Sequence, residues 1–291
     1  MDKSRLAQRA YLLHLSARTL AEGMKSGSFK SLYRGHGMEF RGVRDYFHGD
    51  DVRMIDWNVT ARMGRPFVKE FDEERELDVL LLLDVSASMS TGAGRRSRHE
   101  TVMESASLLT LACLQNASPV GAVIFGGNIV FSAAPKAGRE HALFLLSQYD
   151  RAQRPVPGGS VLDNALQGAD RLLKKRSLVL VFSDFRTAGW TAPFARLASR
   201  HDVVAVRVTD PLDSHLPECG TVPFADAESG RRSLFPTHLA RFRREWSDAQ
   251  YHHLEFWQHE CVRHGGVPLV LGTNAEPSVE LTRFFASREH V

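Results

Sequence analysis

Short, nearly continuous apolar runs alternate along most of this chain with longer stretches of helical period. Leu77–Leu83, Val120–Phe125, Leu178–Phe182, Val203–Val208 and Val267–Leu271 read as strands covered on both faces. Between and after them, recurring apolar positions predict helices near Glu100–Gln115, Arg139–Tyr149, Leu162–Lys174, Ala192–Ser199, His238–His264 and Pro277–Ser287. Ile129–Ser132 follows Val120–Phe125 across Gly126-Gly127-Asn128, a hairpin signal that puts one short antiparallel strand at an edge. Strands alternating with helices predict an α/β fold: a doubly wound, mostly parallel sheet with helices on both faces.

Two segments precede that pattern. Residues 1–28 carry one amphipathic stripe, Leu6, Ala10, Leu13, Ala17, Leu20 and Met24, ended by Gly23 and Ser26-Gly27-Ser28. This helix is expected to pack on the body of the same chain. Residues 29–76 have glycines among charged and aromatic residues and no long helical period. Extended segments at Met38–Val43 and Phe67–Phe71 predict a small β-rich module there. Residues 77–291 then form the α/β domain. Within it, runs around Asp226 and Ser229-Gly230 predict a second hairpin, on a side of the sheet that the sequence leaves open.

Composition narrows the classes. With 43% hydrophobic and 24% charged residues, the 291-residue chain reads as an ordinary soluble protein. A net charge of +3 and the absence of a nucleic-acid motif argue against a nucleic-acid partner, despite Arg231-Arg232 and Arg241, Arg243 and Arg244. No apolar run approaches the roughly 18 residues of a membrane span. Arg5, Arg9, His14 and Arg18 interrupt the N-terminus where a signal peptide has its apolar core. Cys113, Cys219 and Cys261 are odd in number and form no C-x-x-C pair, so a reducing compartment, the cytoplasm, is expected.

The candidate chemistry sits at strand ends. Val79–Leu83 runs into Asp84, then Ser86 and Ser88, a D-x-S-x-S loop that offers only oxygen ligands, as Mg²⁺ or Mn²⁺ prefers. Ordinary turn chemistry uses the same residues. Further on, Pro157–Leu166 sets Ser160 in a glycine-rich loop, and SLVLVFSDF ends in Asp184. In open α/β sheets, ligands bind past the carboxyl ends of the strands, where strand order reverses. Asp84 and Asp184 are therefore expected at neighbouring strand ends.

These residues resemble the von Willebrand factor A-type fold and its metal-ion-dependent adhesion site, which uses D-x-S-x-S, a Thr loop and a later Asp. Asp84, Ser86, Ser88, Ser160 and Asp184 stand at the matching positions, with Ser160 where that family usually has Thr. The block GMEFRGVRDYFHGDDVRMIDW, with LLLDVSASM and DPLDSHLP, is similar to the bacterial domain-of-unknown-function 58 family from about residue 33 to 288. Many members carry membrane helices ahead of this block, so the chain resembles the short soluble subtype. The resemblance implies a neighbouring MoxR-type AAA+ ATPase as partner, with this chain as its adaptor or co-chaperone.

Other clusters read as structural. Asp45, His48, Asp50, Asp51 and Asp56, interleaved with Arg41, Arg44 and Arg53, are expected to form a charged network tying the small module to the large domain, with Trp57 packed at the junction. His259 and His264 lie five apart, about 140° round a helix, and cannot share one zinc. Glu260 and His264 suit a helix ion pair instead. Arg95, Arg96 and Arg98 read as a solvated loop, or as a positive rim if that loop folds beside the metal.

The leading reading is thus a metal-dependent interaction module, not an enzyme, whose open coordination position takes a partner's acidic side chain. The alternatives are a metal-dependent hydrolase, for which the site has too few free carboxylates to supply a general base, and a scaffold with a decayed metal site.

Overall fold

A computed structural model describes residues 16–24, 37–74, 78–152, 159–226 and 231–286. The described residues divide into two compact units, one within 37–74 and the other made of 16–24 with 78–286.

The larger unit is built on a six-stranded sheet. Its strands are β3 (Val79–Asp84), β4 (Val120–Phe125), β5 (Ile129–Lys136), β6 (Leu178–Ser183), β7 (Asp202–Thr209) and β10 (Val267–Gly272). Their spatial order is β10-β7-β6-β3-β4-β5, parallel throughout except for antiparallel β5 at one edge. Every residue of β3, β4 and β6 is buried, which is why their sequences are apolar without alternation.

β5 runs on to Lys136, past the expected end at Ser132. Pro135 is tolerated because β5 is an edge strand and its register slips opposite Val120 and Ala122.

Helices α3 (Arg98–Gln115), α4 (Arg139–Arg151), α5 (Leu162–Leu172), α6 (Thr191–Arg200), α7 (Pro211–Ser214), α8 (Ala240–Arg263) and α9 (Pro277–Ala286) complete the unit. Ser97 opens α3 with a capping box closed by Glu100. One core under α5, α6 and α8 joins Leu80, Leu82, Val179, Val181, Phe194 and Trp257. Residues 16–24 form α1, with Ala17, Leu20, Ala21 and Met24 buried and Asn116 Nδ2 donating to the Ala21 carbonyl at 2.9 Å. This half of the expected stripe packs as predicted, while Leu6, Ala10 and Leu13 lie outside the described residues. At the end of α8 the expected i, i+4 contact is present, with His264 Nε2 3.5 Å from Glu260 Oε2. No helix among the described residues is long and apolar enough to cross a membrane.

All three cysteines are free. Burial pushes the Cys113 thiol up to about 12, and burial with the charge of Glu260 does the same for Cys261. Only Cys219 is exposed. Iodoacetamide on the native protein should therefore add one adduct, at Cys219, read by intact and peptide mass. A second adduct at comparable rate would mean that the core opens more readily than its packing implies.

The smaller unit holds β1 (Gly37–Asp45) paired antiparallel with β2 (Phe67–Glu74), and the short helix α2 (Trp57–Met63). The Asp56 side chain accepts from Asn58 N and Val59 N to start α2, and Gly64 in the left-handed region ends it. The charged block has local structural work. Asp50 takes both arms of Arg44 at 2.6 and 2.8 Å and also accepts from Phe47 N. Arg44 holds its carboxyl down to about 2. Asp51 accepts from Arg53 N, and Arg65 lies 3.3 Å from Asp45. These bonds all lie inside the module. Trp57 is not packed but 69% exposed, on the first turn of α2.

Candidate metal centre

β3 and β6 are parallel neighbours, with Leu83 opposite Phe182. From β3 the chain passes to β4 on one side, and from β6 to β7 on the other. Strand order therefore reverses between them, and the crevice opens at their carboxyl ends. Asp84 closes β3, and Asp184 follows directly on Ser183, the last residue of β6. The expected juxtaposition of the two acids is present.

Asp84 has no exposed surface. Its Oδ1 accepts from Ser86 N at 2.9 Å, and its Oδ2 from Ser160 Oγ at 2.9 Å and Ser183 Oγ at 2.6 Å. Ser86 Oγ stands 3.2 Å from Ser88 Oγ. Asp184 is 5% exposed, and its Oδ1 accepts from Arg186 N at 3.1 Å. Its other oxygen, Oδ2, is buried with no hydrogen-bond partner. Directly after Asp184 comes Phe185, held at a φ of 54°. A non-glycine residue there is strained, at a cost of order 1 kcal/mol. Its ring is anchored against Trp190 and Trp257, with centroids 5.2 and 5.6 Å away, and this packing holds the turn.

The site fits a hard cation. Burial pushes the Asp84 carboxyl up to about 6, and the charge of Asp184 adds to the rise. Two carboxylates at one strand junction repel each other, and a buried carboxylate oxygen without a partner is costly. A cation relieves both. The donors are all oxygens, two carboxylates and three hydroxyls, as Mg²⁺ or Mn²⁺ prefers. Among the described residues, no group of three or more His, Cys, Asp or Glu forms a metal cluster, so the site depends on its serines.

Ser88, Ser160 and Asp184 line a cleft of about 540 Å³. Across it stands the hairpin of β8 (Thr221–Ala225) and β9 (Arg232–Pro236), which answers the question left open by the sequence: it borders the ligand edge. Phe224 stacks on Phe235 at 4.5 Å between centroids, and Trp246 of α8 lies 5.6 Å from Phe235.

The arginine loop is not a solvated rim. Arg98 is buried, donating to Asp213 at 2.6 Å, to the Ser88 carbonyl at 3.3 Å and to Thr91. Arg96 pairs with Glu104 at 2.8 Å and Glu276 at 2.7 Å, and only Arg95 of the three is exposed. Arg98, Arg186 and Arg231 line the cleft, and Arg186 shares Asp213 Oδ1 with Arg98 at 2.7 Å. Asp210 fastens the loop from behind, accepting from Ala93 N, Gly94 N and Thr273 Oγ1. Ser183, Arg186, Asp210 and Asp213 also belong to the site, and none of them is marked by a local sequence motif.

A family model described as "Protein of unknown function DUF58" matches residues 42–255. An uncharacterized protein of Mycobacterium tuberculosis is 31% identical over 294 residues, covering 99% of this chain and 91% of that relative. Among solved structures, the conserved hypothetical protein BatB from Bacteroides thetaiotaomicron is 16% identical at a TM-score of 0.46, covering 73% of this chain and 98% of its own. The SpRpn10 VWA domain is 14% identical at a TM-score of 0.45, covering 74% and 98%.

Proposed function

This chain belongs to the family of proteins of unknown function DUF58, and we propose that it acts as a metal-dependent protein-interaction module that takes an acidic residue of a partner. The observation that carries this is the orphaned Oδ2 of Asp184, buried beside Asp84 and the hydroxyls of Ser86, Ser88 and Ser160 at the switch point of the sheet. Asp84, Ser86, Ser88, Ser160 and Asp184 would hold the ion. When bound, Mg²⁺ or Mn²⁺ would supply positive charge and an open position for a carboxylate. The chain's own groups then shape what binds: Arg186 faces the cleft, and Phe224, Phe235 and Trp246 wall its far side.

A non-enzymatic role is part of the proposal. Both oxygens of Asp84 are already engaged by Ser86 N, Ser160 and Ser183, which leaves it poorly placed as a general base. The partner proposed is a MoxR-type AAA+ ATPase, for which this chain serves as adaptor or co-chaperone in the cytoplasm. That assignment rests on the family resemblance, and three unpaired cysteines are in keeping with the compartment.

The test is a surface-binding assay of such an ATPase on wild type, Ser160→Ala and Asp184→Asn, with Mg²⁺ or with chelator. Wild type should bind with Mg²⁺ and lose about tenfold or more in affinity in chelator, as should Asp184→Asn with Mg²⁺. Ser160→Ala should fall between, since one hydroxyl ligand is lost and the charge balance is kept. Equal binding with and without the metal would sink the adhesion reading.

A further inference from the structure

Arg207 stands where the pattern of its strand calls for an apolar residue. β7 reads DVVAVRVT and is buried from Val203 to Val208, and Arg207 itself is only 6% exposed. Its Nη1 donates to the His253 carbonyl at 2.9 Å, and its guanidinium lies over the Trp257 ring, 5.7 Å from the centroid. Among the described residues it forms no ion pair. Asp184 and Asp213 influence its charge only from beyond ion-pair distance. A buried guanidinium with one carbonyl and one ring for company is under-satisfied, because its planar fork carries five donors matched to a carboxylate or phosphate.

The fork opens on a cavity of about 480 Å³, between α8 and the ends of β7 and β10. That volume lies in the range of small-molecule sites, about 300–1,000 Å³. Thr209 offers a hydroxyl there and Gln250 an amide, while Leu254 and Val270 give an apolar wall. Three acids border it, Asp210, Asp213 and Asp248, and the first two are already committed. Asp213 holds Arg98 and Arg186, and Asp210 accepts from Ala93 N, Gly94 N, Leu212 N and Thr273 Oγ1. Burial pushes the Arg207 guanidinium below its ordinary value, in keeping with a charge that lacks its counter-ion.

We infer that this cavity is a binding site for a small oxyanion-bearing ligand, a carboxylate or phosphate monoanion or dianion, with Arg207 as its anchor. The cavity adjoins the cleft of the candidate metal centre, sharing Asp210 and Asp213 with it, but holds none of the proposed metal ligands and does not depend on the adhesion reading. It asks for a ligand with one anionic head for Arg207, Thr209 and Gln250 and a short body against Leu254 and Val270.

The probes are succinate and inorganic phosphate, titrated into metal-stripped protein after the chelator has been dialysed away. Calorimetry and amide resonances report the binding. Saturable binding of at least one probe is expected, with shifts at Thr209, Ser214, Ser247 and Gln250. Preference for succinate would assign a carboxylate ligand, and preference for phosphate a phosphorylated one. Arg207→Gln should weaken the preferred probe about tenfold or more, and Arg207→Lys by less, since it keeps the charge and loses the fork. The resonance shifts are read on wild type, so the site stays testable even if neither variant folds. No saturable binding of either probe, shifts confined to other surfaces, or equal affinity in a folded Arg207→Gln variant would overturn the inference.

Discussion

Replacing Asp84 by Asn should make the metal-free protein more stable at about pH 8 and, at the same time, abolish its binding of Mg²⁺. The two effects have one cause. Asp84 has no exposed surface, and burial with the nearby Asp184 charge raises its carboxyl from 3.8 to about 6 in the folded state. A group whose folded value is raised contributes stability that is fully present below its unfolded value and lost as pH rises through the folded one. Above about pH 6 the metal-free fold therefore carries an ionised acid that it holds poorly, at a cost of about 3 kcal/mol. Asn keeps the shape and removes that charge, so its advantage should grow between about pH 4 and 6 and then level off. Urea denaturation of both proteins across that range measures the difference, and calorimetry measures the metal. Asp84→Ala is a poorer test. Buried Asp84 accepts three hydrogen bonds, and Ala would strand Ser86 N, Ser160 and Ser183 at about 1–3 kcal/mol for each group left unsatisfied. Coincident denaturation curves for wild type and Asp84→Asn at about pH 8 would mean that the site holds its charge without strain, and the case for a cation there would lose its electrostatic basis.

What could be read from the sequence, and what could not, follows from how far each interaction reaches along the chain. Strands buried on both faces announce themselves as unbroken apolar runs, and Val79–Asp84 and Leu178–Ser183 did so. The first ends at its acid and the second one residue before it, so the switch-point geometry could be expected from a doubly wound fold. Arg98 was misread because its partner Asp213 is 115 residues away, and a basic run viewed locally looks solvated. The placement of the β8–β9 hairpin was open for the same reason: its contacts with the site are aromatic and long-range, and its alternating pattern specifies a face without naming the neighbour. Trp57 was expected to pack because large aromatic residues usually do, yet it starts a short helix capped by Asp56 and is left exposed. Two signals were available and went unused. Ser183 is the one polar residue of β6, and Arg207 the one charged residue inside the buried run of β7; a polar side chain in such a run has to be bonded to something.

The largest loss of stability is expected from Asp213→Ala. Asp213 Oδ1 receives Arg98 from α3 at 2.6 Å and Arg186 from the loop after β6 at 2.7 Å, while Oδ2 accepts from Asp210 N at 2.8 Å. One carboxylate thus joins α7 to the two segments that carry Ser88 and Asp184. Burial alone would raise its carboxyl, but Arg186 and Arg98 outweigh that, and the net direction is down. A lowered folded value means that the contribution is present above the ordinary carboxylate range and is lost as the protein is acidified through the folded value. The Arg98 side chain is 5% exposed, so removing its partner leaves an uncompensated buried charge, at about 3–5 kcal/mol. Arg98→Met should cost less, because Asp213 keeps Arg186 and the apolar replacement fits a buried site. The double variant should be no worse than Asp213→Ala alone, since the stranded guanidinium is then gone. Urea denaturation of the four proteins closes the cycle. Additivity within about 0.5 kcal/mol would show that the two groups are not coupled, and the clamp would then be no more than proximity. A strong coupling would instead identify Asp213 as the point through which α7 holds the Ser88 loop in register with Asp184, since Arg98 also donates to the Ser88 carbonyl.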